Sequence, residues 1–215
     1  GDPVWGDYLE RLAFNALPAT ISADMWTHQY DQQTNQVQCA LLPKDHVIFG
    51  TNGPDSHLFG LEPNFGCCTA NFNQGWPKFA LATFLRSEKG IVSAALAPAS
   101  VHTVIDGHAV TCTLETEYPF RNTLRYRIVT DGPVSFELKL RIPCCAKSAT
   151  VNGTVAQPGT FFVMDQVWSG ATEIVVALEF ACETVARPRE MQVLWRGPLL
   201  YSVAIDERWE KLEYT

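Results

Sequence analysis

The stretch "AVTCTLETEYPFRNTLRYRIVTDGPVSFELKLRI", residues 109–142, decides the fold class of this chain. It consists of short runs rich in β-branched and aromatic residues, which favour β-strands. Similar runs continue from Gly90 almost to the C-terminus, and turn-forming residues separate them at Asp106-Gly107, Asp131-Gly132-Pro133 and Asn152-Gly153. Seven or eight strands at this spacing predict an antiparallel β-sandwich.

Before Gly90 the hydrophobic pattern has the period of a helix. Apolar residues from Trp5 to Leu17 recur at 3.6-residue spacing, and Pro18 is expected to end that helix. A second helix is predicted from about Thr69 to Phe84, with a kink at Pro77. Two helices cannot bury all of their own aromatic side chains. Residues 1–90 are therefore predicted to be the C-terminal part of a larger helical domain, and residues 91–215 a β-sandwich domain.

Composition excludes several classes of protein. The 215 residues are 47% hydrophobic and 18% charged, which is enough to build a core. The formal net charge of -7 provides no basic surface, so nucleic acid is not expected as a partner. No apolar run reaches the roughly 18 residues of a membrane span, so no membrane partner is expected either. Seven cysteines, with two adjacent pairs, disfavour a disulfide framework and favour reduced or metal-bound thiols, as in the cytoplasm.

Cys67 and Cys68 stand at the predicted start of the second helix. The unpaired N–H groups and the positive dipole end of a helix lower the pKa of a thiol, and only the thiolate is a good nucleophile or metal ligand. Two neighbouring thiols could bind one soft cation, but a closed zinc site needs about four ligands. The simpler interpretation is that these cysteines are small buried hydrophobes. Spacing alone leaves both possibilities open.

Several segments resemble one family of enzymes. The motif "GCCTANFNQGWPKF" (66–79) resembles the Cys-Cys element of the β-L-arabinofuranosidases that use a cysteine nucleophile. Other resemblances to this family follow its order along the chain: "YLERLAFNALPA" (8–19), "HQYDQQTNQV" (28–37), "LRIP" (140–143), "VNG" (151–153) and "RGPLLY" (196–201). The resemblance implies the C-terminal helices of an (α/α)6 barrel followed by an antiparallel β-sandwich.

The resemblance also implies an activity. It is that of a retaining glycoside hydrolase acting on β-L-arabinofuranose, or a similar sugar, of plant-type glycans. Carried over by position, Cys67 is the nucleophile and a zinc ligand, and Cys68 is a second zinc ligand. The connection that should approach the cleft contains His28, Tyr30 and His57, which are candidate substrate contacts.

Two elements of the family pattern do not occur in this chain. The Glu-x-Cys half of the zinc site and the general acid lie upstream of the first matched helix in the family, and residues 1–66 contain no Glu-x-Cys. The chain is therefore predicted to be a C-terminal portion whose partner is the missing N-terminal part of the same protein. The alternative is a non-catalytic carbohydrate-binding or structural β-sandwich module.

The remaining cysteines are predicted to be structural. Cys144 and Cys145 follow "LRIP" and are expected in a loop of the sandwich, whereas Cys39, Cys112 and Cys182 are expected as small buried residues in strands.

Overall fold

The computed structural model describes residues 1–32, 34, 36, 39–40, 56, 58–60, 66–204, 206 and 208. Its helices are short: α1 (Val4–Arg11), a π-helical turn (Leu12–Ala16), α2 (Leu17–Ala19), α3 (Gly66–Phe72) and α4 (Gly75–Leu81). None of the described helices has the length and apolar character needed to cross a membrane.

Most of the described chain is β-structure. The strands are β1 (Phe84–Ser87), β2 (Gly90–Ser93), β3 (Ala99–Ile105), β4 (His108–Thr116), β5 (Thr123–Ile142), β6 (Ser148–Val151), β7 (Thr154–Ala156), β8 (Thr160–Glu179), β9 (Cys182–Ala186), β10 (Gln192–Arg196) and β11 (Leu199–Tyr201). The first eight form one sheet, in which β5 and β8 are the central strands, and the last three form a small antiparallel sheet in the order β11-β10-β9.

The prediction of a hairpin turn at Asp131-Gly132-Pro133 was wrong. These residues lie inside β5, where the pairing with β8 shifts: Thr130 lies opposite Gly170 and Val134 lies opposite Trp168. Three residues of β5 therefore face one residue of β8, which makes an irregularity of the bulge type and bends both strands. The runs that the sequence separates into four strands are consequently two long ones.

The other two predicted turns are confirmed as hairpins. Asp106-Gly107 joins β3 to β4, and Asn152-Gly153 joins β6 to β7. Both residues of each pair have positive φ, at 48° and 84° in the first and 47° and 80° in the second. A two-residue turn of this kind requires positive φ at both positions, which Asp, Asn and Gly tolerate.

The large sheet is mixed, which corrects the prediction of a purely antiparallel arrangement. β2 runs parallel to β5, with Ile91 opposite Leu138. A parallel pair needs a long crossover connection, and the β3–β4 hairpin lies within that connection. Both halves of β5 contribute to a single buried cluster, from Leu124 to Ile142, so the bent sheet closes over one core. This arrangement is consistent with the predicted β-sandwich.

The helices also differ from the predicted ones. The second helix is interrupted between Phe72 and Gly75, and Pro77 lies in the first turn of α4, where its missing N–H costs no hydrogen bond. The chain leaves the helix at Leu81, and β1 already begins at Phe84, whose side chain packs against the β-sheet core.

A buried polar cluster joins α1 to the β-sheet. The Arg141 guanidinium, on β5, forms ion pairs with Asp7 and Glu10 on α1 and donates to the Ala94 carbonyl. Glu10 also accepts hydrogen bonds from the Tyr118 hydroxyl at 2.6 Å and from the Leu96 amide at 2.7 Å. We call these residues, Asp7, Glu10, Tyr118 and Arg141, the junction cluster. It fixes α1 against the sheet.

Asn15 attaches the small sheet to the same helical segment. Its side-chain oxygen accepts the Leu200 amide at 2.7 Å, and its Nδ2 donates to the Pro198 carbonyl at 2.8 Å. The Arg11 guanidinium lies 4.6 Å from the centre of the Trp195 ring, which adds a cation–π contact. The "LER" helix and the "RGPLLY" segment, far apart in sequence, are therefore in direct contact.

Replacing Asn15 with alanine is expected to loosen β11. The substitution removes both side-chain partners of the Pro198–Leu200 backbone, a loss of about 1–3 kcal/mol of unfolding free energy. Urea unfolding measures the loss, and hydrogen exchange of the Leu200 amide localises it. Asn122→Ala, which removes only the single bond to Arg196, is the matched control. An unchanged exchange rate at Leu200 would contradict this role of Asn15.

Candidate active site around the Cys67-Cys68 pair

The two adjacent thiols lie in the first turn of α3, as the sequence predicted. Cys67 Sγ and Cys68 Sγ are 3.8 Å apart, and Cys67 is exposed whereas Cys68 is partly buried. Asn71, one turn later, donates its side-chain amide to the Cys67 carbonyl at 2.6 Å. The pair is therefore held on an ordered helical turn with the Cys67 sulfur accessible to a substrate.

Tyr30 is the predicted site residue that the structure brings to the thiols. The charges of Cys68 and then Cys67 raise the pKa of the Tyr30 hydroxyl, and a hydrogen bond between Tyr30 and Cys68 acts in the same direction. A group so affected by both cysteines lies close to both, although 37 positions separate Tyr30 from Cys67. The role of Tyr30 as a substrate contact stays a prediction.

The backbone of His28 lies between two other segments. Its amide donates to the Gly60 carbonyl at 2.9 Å and its carbonyl accepts from the Gly60 amide at 3.1 Å, while a second bridge pairs it with Ile21. These bridges fix the segment that carries Tyr30. His57 lies outside the described residues, so the proposed substrate contacts of His28 and His57 stay predictions.

A chain of aromatic contacts connects the thiol helix with the junction cluster. Phe14 packs edge-on against Phe79 of α4 at 5.4 Å and against Tyr118 at 5.9 Å between ring centres. Tyr118 in turn donates to Glu10. Because α4 follows α3 directly, the junction cluster helps to set the position of the helix that carries the thiols.

The geometry of the thiol pair fits two ligands of one zinc ion. Two Zn–S bonds of about 2.3 Å at a tetrahedral angle place the sulfurs about 3.8 Å apart, which matches the observed separation. Among the described residues, no group of three or more His, Cys, Asp or Glu side chains is arranged to hold a metal ion. A closed zinc site would therefore need further ligands beyond these two thiols.

The other cysteines play different parts. All seven are free. Cys112 is buried as predicted, and burial raises the pKa of its thiol to about 12. Cys39 and Cys182 are exposed, contrary to the prediction, and the Cys39 sulfur accepts hydrogen bonds from Gln29 and Gln36. Cys144 and Cys145 lie in the loop between β5 and β6, and the Cys144 amide donates to Asp7.

Sequence reasoning missed the junction cluster. Glu10 is buried, and its carboxylate is held by Arg141, Tyr118 and Leu96. Burial raises the pKa of Glu10, and the positive charge of Arg141 opposes that effect. The available signal was the pair of charges at Asp7 and Glu10, which helical spacing places on one face of α1.

The structure combines a β-sheet domain with a helical segment that carries a thiol pair. Residues 91–180 match the family model described as "Beta-L-arabinofuranosidase, GH127 middle domain". This part of the chain is therefore GH127-like, which confirms over these residues the family resemblance inferred from the sequence.

Solved structures share the fold over nearly the whole chain. A glycoside hydrolase matches with a TM-score of 0.71 at 20% identity over 93% of this chain and 34% of its own. A GH127 beta-L-arabinofuranosidase from Geobacillus stearothermophilus T6 matches with a TM-score of 0.68 at 20% identity, over 93% and 32%. A GH127 beta-arabinofuranosidase matches with a TM-score of 0.68 at 17% identity, over 93% and 33%.

The chain spans about a third of the length of these structures. No curated protein sequence matches it at a significant level.

Proposed function

We propose that this chain is the C-terminal portion of a retaining glycoside hydrolase that releases β-L-arabinofuranose, or a similar sugar, with Cys67 as the nucleophile. The observation that carries the proposal is the exposed Cys67 thiol, next to Cys68 and Tyr30 at the start of α3. The match of residues 91–180 to the GH127 middle domain supports the class of reaction.

The thiolate of Cys67 attacks the anomeric carbon of the sugar, and a carbon–sulfur bond forms as the bond to the leaving oxygen breaks. The leaving oxygen takes a proton from a general acid, which we place in the upstream part of the protein. Water then attacks the same carbon and gives a proton to the conjugate base of that acid, while the carbon–sulfur bond breaks and the thiolate leaves. Tyr30, whose hydroxyl pKa both cysteines raise, is the proposed substrate contact beside them.

Zinc is the proposed cofactor, held by Cys67 and Cys68 together with ligands from the upstream part of the protein. When bound, it keeps the cysteine deprotonated at neutral pH. The 3.8 Å separation of the two sulfurs supports this assignment.

The proposed partner is the helical N-terminal part of the same protein, folded as an (α/α)6 barrel. The exposed apolar side chains of α1 and of the π-helical turn after it, Trp5, Tyr8 and Leu12, support it because a helix of a soluble domain normally buries such a row.

Native mass spectrometry of the full-length protein tests the metal site. We expect one zinc per chain, and we expect Cys67→Ser and Cys68→Ser each to lose it, because removing one ligand of four opens the site. The double variant Cys144→Ser/Cys145→Ser alters the other adjacent pair and should retain the metal.

Zinc that persists in both Cys67→Ser and Cys68→Ser would remove the thiol pair from the metal site. Sugar binding that is indifferent to these cysteines and to chelators would instead favour the non-catalytic module.

A further inference from the structure

One face of the large sheet is covered by α1 at one end. Successive side chains of a strand point to opposite faces of the sheet. In the second half of β5, Leu138 and Leu140 belong to the buried core, so Lys139 and Arg141 lie on the opposite face. α1 packs on that face at Arg141, and its ion pairs with α1 leave this side chain fully buried.

An apolar row lies next to the place where α1 packs. Lys139 is two residues from Arg141 along β5, about 7 Å away, and its cross-strand neighbours are Val163 on β8 and Val92 on β2. Leu85 on β1 pairs in turn with Val92. Directly opposite residues of paired strands lie on the same face of a sheet. All of these side chains therefore share the face on which α1 packs.

This row is exposed although it is apolar. Val163 and Leu85 expose 49% and 47% of their surface, whereas Arg141 exposes 1%. Phe161, the partner of Arg141 on β8, is partly buried. We call the apolar residues of this face the sheet patch: Leu85, Val92, Phe161 and Val163.

Ion pairs border the sheet patch on the side away from α1. Glu137, the next residue of β5 on this face, accepts contacts from Lys139 Nζ at 3.1 Å and from Lys89 Nζ at 3.2 Å. Glu137 therefore neutralises the Lys139 charge at the edge of the apolar row. An apolar centre with a polar rim is the usual composition of an interface between folded parts of proteins.

The position of α1 indicates what covers the sheet patch. α1 belongs to the helical segment that we propose continues upstream, and consecutive elements of a domain usually lie side by side. Packed helices are 8–10 Å apart, close to the spacing of about 7 Å between the Arg141 and Lys139 positions. A helix packed beside α1 on the sheet therefore reaches the sheet patch.

We propose that the sheet patch is a docking surface for the upstream helical part of the same protein, which lays the apolar side of a helix across it beside α1. The surface continues the contact that α1 already makes with β5. This inference rests on the proposed upstream part and not on the chemistry at Cys67. It gives the β-sheet domain a structural role, because the domain then holds the helical part at a second place.

Site-specific photo-crosslinking in the full-length protein identifies the occupant of the sheet patch. p-Benzoylphenylalanine replaces Val163, the sample is irradiated, and the crosslinked peptides are identified by mass spectrometry. We expect crosslinks to peptides from the upstream part of the same molecule. Val104 is the matched control position, because it is a similarly exposed valine, at 57%, near the tip of the β3–β4 hairpin. It should give no such crosslink.

A charge at the same position provides a second measurement. Val163→Lys is expected to lower the thermal midpoint of the full-length protein by at least about 4 °C, because it places an ammonium group in an apolar contact. Val104→Lys should change the midpoint by less than about 2 °C, as a surface substitution does. Val163→Thr has nearly the same shape as the parent side chain and replaces Val163→Lys if that variant does not fold, with a shift of about half the size.

Crosslinks from position 163 only to a second copy of the chain, seen as a dimer-sized band on a denaturing gel, would overturn the proposal. The absence of any crosslink from position 163 to the upstream part would also overturn it, and so would equal thermal shifts in Val163→Lys and Val104→Lys. Neither measurement uses turnover, and Val163 is not part of the thiol site. The docking surface and the proposed hydrolase function can therefore fail separately.

Discussion

Full-length protein carrying Cys67→Ser is expected to lose turnover of β-L-arabinofuranosides by at least about three orders of magnitude. Mutational loss of a catalytic nucleophile in other hydrolases reaches this size or more. The physical reason is that an alcohol is a far weaker acid than a thiol, so serine supplies much less of the anionic nucleophile. The substitution is nearly isosteric, and Cys67 is exposed, so the fold should be unaffected.

The measurement is kcat on an aryl β-L-arabinofuranoside, with thermal unfolding recorded for the same samples. Cys144→Ser is the matched control, because Cys144 is also an exposed first member of an adjacent pair, and it should retain full activity. A Cys67→Ser protein with kcat within a few-fold of the parent would eliminate Cys67 as nucleophile. Equal losses in Cys67→Ser and Cys144→Ser would point to unfolding rather than chemistry.

Features that depend on neighbouring residues could be predicted from the sequence. The hairpins at Asp106-Gly107 and Asn152-Gly153 were found because positive φ is a local demand that few residues meet. The position of Cys67 and Cys68 at a helix start could also be predicted, because the apolar period of the helix begins within a few residues of them.

Features that depend on distant pairing could not be predicted. Asp131-Gly132-Pro133 has the composition of a turn, and only its register against β8 makes it a bulge within a strand. The parallel pairing of β2 with β5 likewise cannot be predicted from the four residues 90–93 alone. Glu10 and Arg141 are 131 positions apart, so no local pattern reveals that they neutralise each other.

The second large effect is expected at Arg141. Arg141→Ala should lower the unfolding free energy by about 3–5 kcal/mol, because it leaves the carboxylates of Asp7 and Glu10 buried without their cation. Arg141 is only 1% exposed, and one carboxylate oxygen of Asp7, Oδ2, is already buried without a hydrogen-bond partner among the described residues. The site is also tightly packed. A Cβ atom at Gly6 of α1 would lie only 2.6 Å from Arg141 Cδ.

Urea unfolding of the variant measures this loss, and Arg127→Ala provides the matched control. Arg127 is on the same strand with its side chain exposed, so its removal should change stability by less than about 0.5 kcal/mol.

Replacing the whole ion cluster, in Asp7→Leu/Glu10→Leu/Arg141→Met, should recover much of the stability lost by Arg141→Ala, because no charge then stays buried alone. If Arg141→Ala cost less than 1 kcal/mol, the cluster would not be what holds α1 to the sheet. A loss of the expected size, together with weaker zinc binding in a folded Glu10→Gln variant, would connect the β-sheet domain to the thiol site through Tyr118, Phe14 and Phe79.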